Sequence, residues 1–139
     1  MSRVNRLVAV SNAAGLPAVW GALARGRYLA AALVAVAMLA SALMHLAQTK
    51  HRLPGVRPFA RYADPLLWLD RAVALVAGAC VLRGIASAEA PRVYLLVARG
   101  LVGLALLWRS ERLPGPEYAA WHVAWHALAY QTMYDVFAC

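Results

Sequence analysis

From Tyr28 to Met44 the chain carries no charged residue, and the hydroxyls of Tyr28 and Ser41 are the polar side-chain groups in that run. In hydrocarbon a backbone must satisfy its own N–H and C=O groups, which an α-helix does and an isolated strand does not. A helix needs about 20 mostly apolar residues to cross about 30 Å of hydrocarbon, and residues 28–48 supply that length. Four other segments approach it: residues 7–23, 66–86, 93–108 and 118–138. The expected fold is therefore all-α, a multi-pass transmembrane helix bundle of about five spans, with residues 1–139 as one transmembrane domain.

Composition supports a bilayer as the solvent. Of 139 residues, 63% are hydrophobic and 14% charged, against roughly 45–50% and about 25% in soluble domains. One small core could not hide that much apolar surface in water. A disordered tail, a collagen-like repeat, a coiled coil and a disulfide scaffold are excluded too, the last because Cys80 and Cys139 alone make no framework. No internal repeat or low-complexity linker is visible. Breaker signals separate the runs: Arg25-Gly26-Arg27, the stretch holding Pro54, Pro58 and Pro65, Glu89-Ala90-Pro91, and Leu113-Pro114-Gly115-Pro116. Arg3 and Arg6 before an apolar run ending in Ala22-Leu23-Ala24 outline a secretory signal. The segment is nonetheless read as a retained span, interrupted at Ser11-Asn12 and kinked at Pro17.

A net charge of +8 would suggest nucleic acid if the basic residues shared one folded surface. They fall instead in short segments between apolar runs and lack interleaved aromatics, so nucleic acid is not an expected partner. Lys and Arg at those positions orient membrane helices and meet anionic head groups. Five spans put Arg3, Arg6, Lys50, Arg52, Arg57, Arg61, Arg109 and Arg112 on one side and Arg25, Arg27 and Arg92 on the other. The positive-inside rule then sets the N terminus on the cytosolic side and Cys139 opposite.

Ionisable groups inside spans are costly and default to function. Ser41 and His45 are four residues apart, as are His122 and His126, so each pair shares a helix face. Asp70 opens the third span. At about 1.5 Å per residue, His45, Asp70 and His122 lie roughly 5–6 Å from the inner ends of their spans, and Ser41 and His126 about 10–12 Å. All five groups fall in one layer. Three neutral imidazoles with no nearby cysteine suit Zn²⁺ and leave its fourth position for water. A carboxylate beside that water can take its proton, and a serine can hold the water or the reacting oxygen. This is the chemistry of metal-assisted hydrolysis, with Asp70 and Ser41 as catalytic candidates and His45, His122 and His126 as metal ligands. His51, six residues past His45 in a basic loop, is read as interfacial.

Ser41-Ala-Leu-Met-His45, Asp70 and His122-Val-Ala-Trp-His126 together resemble the signature of the CREST superfamily of integral-membrane metal hydrolases, which includes alkaline ceramidases and adiponectin-receptor-like proteins. Ser11-Asn12 is similar to a Ser-Asn pair of the ceramidase branch. The resemblance implies zinc on the three histidines, Ser41 and Asp70 against its water, and a lipid amide or ester as substrate. Members typically have seven spans. Loss of two between Asp70 and His122 would preserve the direction of the last helix. No acidic residue precedes Asp64, so the N-terminal calcium site of alkaline ceramidases is not expected.

Two further readings stay open. The chain could be a non-catalytic subunit that retains a zinc or polar site, and its partners would then be a larger membrane complex rather than lipids alone or further copies of itself. The histidines could instead serve haem or chlorophyll, which leaves Ser41 and Asp70 without a task. Of the remaining residues, Trp20, Trp68, Trp108, Trp121 and Tyr118 are expected as interfacial anchors. Trp125 and Arg99 are expected in packing, Cys80 as a core residue, and Asp135 as solvated. Gly78, Gly84, Gly100 and Gly103 are expected at close helix contacts.

Overall fold

A computed structural model describes residues 3–138 and is all-α, with 84% helix and no strand among the described residues. Five rods make up the bundle. The first consists of α1 (Arg3–Ser11), a 3₁₀ turn (Asn12–Gly15) and α2 (Leu16–Ala24). The others are α3 (Tyr28–Ala47), α4 (Ala63–Ala86), α5 (Ala90–Ser110) and α6 (Gly115–Phe137). Four rods are long and apolar enough to cross a membrane: Arg3–Ala24, α3, Phe59–Ala86 and α5. Helix α6 has the length, 23 residues, but carries more polar groups.

The break in the first rod follows from its sequence. Pro17 sits in the first turn of α2 and cannot donate to the carbonyl one turn earlier. The preceding turn tightens to 3₁₀, and the Asn12 amide donates to the carbonyls of Val8 and Ala9. Gly15 is needed there for close approach. A Cβ at that position would lie 2.7 Å from Met38 Sδ and 2.8 Å from Tyr130.

The first rod packs on α3 and α6, α3 also packs on α4, and α6 on α5. One apolar cluster joins Ala18, Ala22, Ala31, Val34, Tyr130 and Phe137. A second joins Val8, Leu53, Tyr118 and Ala119. Helix α4 buries only Ala77, and α5 only Leu96, Gly103 and Ser110. Large apolar side chains face outward instead, with Leu29 89% and Leu75 76% exposed, the reverse of a soluble surface and suited to lipid. Between α3, α4, α5 and α6 lies a cavity of about 680 Å³.

Several expectations are corrected. Cys80 is exposed, on a face of α4 that does not line the cavity. Gly84 and Gly103 do make close contacts, against Val136 and Trp125, but a Cβ at Gly78 or Gly100 would meet nothing within 4 Å. Asp135 is not simply solvated: its carboxylate pairs with the Arg99 guanidinium and accepts from the Gln131 amide. An arginine at mid-span costs about 2.5–3.5 kcal/mol on insertion scales, and the carboxylate on α6 offsets that cost while tying α5 to α6. Cys139 lies outside the described residues.

Candidate metal centre

His45 comes from the last turn of α3, and His122 and His126 from one face of α6. All three are buried, and one ligand nitrogen from each lies within 4.8 Å of the others. The ring centroids are 4.7, 4.8 and 5.2 Å apart, and each pair meets edge to face at 67–83°. The three form a site able to hold a metal ion.

The surrounding hydrogen bonds decide which nitrogen is free to bind. Ser11 Oγ donates to the Val8 carbonyl at 2.7 Å, so toward His126 Nδ1, also at 2.7 Å, it acts as acceptor. Ser110 repeats the device on α5, donating to the Leu107 carbonyl and lying 3.1 Å from His122 Nδ1. Gln48 Oε1 accepts from His45 Nδ1 at 3.0 Å, and the Tyr118 hydroxyl donates to the same oxygen. Each Nδ1 is thus protonated and held, which leaves Nε2 as a lone pair on all three rings. His45 Nε2 is buried with no hydrogen-bond partner among the described residues. Three neutral imidazoles of this tautomer have the donor set of a metal centre, with the Ser41 hydroxyl near one of the three Nε2 atoms.

Gln48 is itself anchored. The Asn5 amide on α1 donates to the backbone carbonyls of His45 and Gln48 at 2.8 and 2.9 Å. Farther along α6, the Tyr130 hydroxyl donates to Asn12 Oδ1 at 2.6 Å. The two asparagines of the first rod therefore fix α3 and α6 on either side of the histidines. A buried amide left without such a partner costs about 1–3 kcal/mol.

Ser41 is buried one turn before His45, with its hydroxyl 3.4 Å from His126 Nε2. Asp70 is half-buried on α4. Ser41, Asp70 and the three histidines all line the 680 Å³ cavity, so every residue singled out for the site in the sequence meets there. Trp125 and Arg99 line it as well.

Other placements differ from expectation. Tyr118 is fully buried rather than an interfacial anchor. His51 is not free at the interface: its side chain is 7% exposed and stacks on the Tyr118 ring at 4.1 Å. Its Nδ1 donates to the Leu113 carbonyl, and its own carbonyl accepts from Gly115 N–H, joining two loops under the site.

Sequence reasoning missed Asn5, Gln48, Ser110 and the second role of Tyr118. Two of these carried a usable signal. Gln48 is three residues after His45, and Tyr118 four before His122, so each shares the face of its histidine. No family model, curated protein or solved structure matches the chain.

Proposed function

We propose that the protein is a small zinc-dependent membrane hydrolase, similar to the CREST superfamily, that cleaves an amide or ester bond of a lipid. The observation that carries this reading is the cluster of three buried histidines, one ligand nitrogen of each within 4.8 Å of the others, lining one cavity with Ser41 and Asp70. Three histidines with an open fourth position are a catalytic rather than a structural donor set. When bound, Zn²⁺ supplies a Lewis acid for the carbonyl and brings the pKa of water to about 7.

The chain's own groups do the rest. Asp70 accepts the proton of the attacking water as the water oxygen bonds to the carbonyl carbon. The same carboxyl returns that proton to the amine or alcohol as the C–N or C–O bond breaks. Ser41 donates a hydrogen bond to the reacting oxygen. Leu67, Ala74, Val81 and Leu104 give the cavity an apolar wall for the acyl part. Detergent-purified protein is expected to hydrolyse at least one member of a panel of ceramides, acyl amides and phospholipids, with chelation abolishing turnover and Zn²⁺ restoring it. A metal-loaded protein inactive on the whole panel would contradict the hydrolase reading.

In the membrane we place the N terminus, the loop of residues 50–58 and the loop of residues 111–114 on the cytosolic side, with α6 as the fifth span. Eight flanking basic residues against three support that orientation. Cys139 is then expected to react with an impermeant thiol reagent in intact cells, while reaction only after permeabilisation reverses the topology.

One observation favours a second reading, a non-catalytic subunit of a larger assembly. Helices α4 and α5 bury very little within the chain. Partner subunits retained in mild detergent, together with no turnover on the panel, would decide for it.

A further inference from the structure

Helices α4 and α5 follow one another through a short turn, yet their middle sections stand apart. Gly78 lies about 12 Å along α4 from Asp70, and Gly100 about 15 Å along α5 from Ser110, at about 1.5 Å per residue. Both line the cavity, and a Cβ at either would meet nothing within 4 Å. The neighbouring glycines behave oppositely. Gly84 is pressed against Val136 of α6 and closes the gap between α4 and α6 toward one end, and Gly103 is covered by Trp125. Beside Gly100, Arg99 is neutralised by Asp135, so the wall there carries a paired rather than a bare charge. Gly78 and Gly100 thus leave the cavity wall without side chains near the middle of two helices that are each long and apolar enough to span a membrane. At its other end the same cavity holds the buried, unpartnered Nε2 of His45.

We infer that Gly78 and Gly100 frame a lateral portal through which the acyl chain of a bilayer lipid enters the cavity, and that these two positions set which chains are admitted. The inference rests on the reading of the histidine centre as acting on a lipid, and it adds the route and the selecting residues. At mid-bilayer depth the medium outside α4 and α5 is acyl chain at very high concentration, which makes an acyl chain the occupant this opening meets first. A cavity of this size falls within the usual range for ligand sites, about 300–1,000 Å³.

The test uses the full chain in phosphatidylcholine vesicles that include a phosphatidylcholine with a diazirine at the middle of one acyl chain. After photolysis, peptide mapping should find label on the cavity wall at Leu96 and Met133. Label is also expected on the outward residues Leu75 and Leu101, 76% and 63% exposed. Gly78→Leu combined with Gly100→Leu should cut the cavity label at least tenfold and leave the outward label and bound metal unchanged. Leucine is the better helix former of the two residues and meets open space at both positions, so folding should hold. Gly100→Leu alone serves as the milder variant, with an intermediate loss. Unchanged cavity labelling in the double variant, or wild-type label restricted to Leu75 and Leu101, overturns the portal. Because turnover is not read, cavity labelling in a protein inactive on every lipid keeps the portal and sinks only the hydrolase.

Discussion

Asp70→Asn is expected to retain its metal and its fold while losing about 10²–10⁴-fold in turnover, the range associated with removing a general base. Asparagine keeps the side-chain shape and some of the hydrogen-bonding capacity. It cannot accept a proton from the attacking water. Asp70 belongs to α4, which contributes no histidine, and only Ala77 of that helix is buried. The substitution therefore disturbs little packing, and a large effect on rate would report chemistry rather than stability. Ser41→Ala should cost less, because the carbonyl remains polarised without it. Loss of the metal in Asp70→Asn would make Asp70 a ligand instead of a base. Undiminished turnover would remove it from the mechanism.

The helices were legible because their apolar runs are long, and the break in the first rod because Asn12 and Pro17 mark it. What could not be read was the facing of α4. A helix apolar nearly all round has no stripe to orient it, which is why the core placement expected of Cys80 and the close contact expected of Gly78 both fail. The histidine cluster was legible because two i,i+4 pairs, Ser41/His45 and His122/His126, fall at matching depth on different spans. Its supporting shell was only half legible: Gln48 and Tyr118 repeat the helical spacing of their histidines. Ser110 and Asn5 come from other helices and could be found only once α5 and the first rod were seen against α6 and α3. The Arg99–Asp135 pair has the same character, since neither residue has a local partner in the sequence and the antiparallel pairing of α5 with α6 brings them together.

The second large effect concerns the metal itself. His122→Ala and His126→Ala should each strip it, since two remaining imidazoles make a poor site for a cation that usually takes four ligands. Ser110→Ala removes the acceptor of the His122 Nδ1 proton and should weaken binding about 10–100-fold, as is typical when such an outer partner is lost. Cys80→Ala, an exposed position, should change nothing. The graded order separates a metal centre from a polar cluster that merely packs, because packing loss at Ser110 would lower stability without a selective fall in metal affinity. The most direct measurement is the metal content of detergent-purified wild type and His122→Ala, read together with the X-ray absorption spectrum of the bound ion. One zinc per wild-type chain is expected, with nitrogen donors at about 2.0–2.1 Å, and almost none in the variant. Equal metal in the two proteins, or a wild type that purifies without zinc and takes up none when it is supplied, would contradict the zinc site.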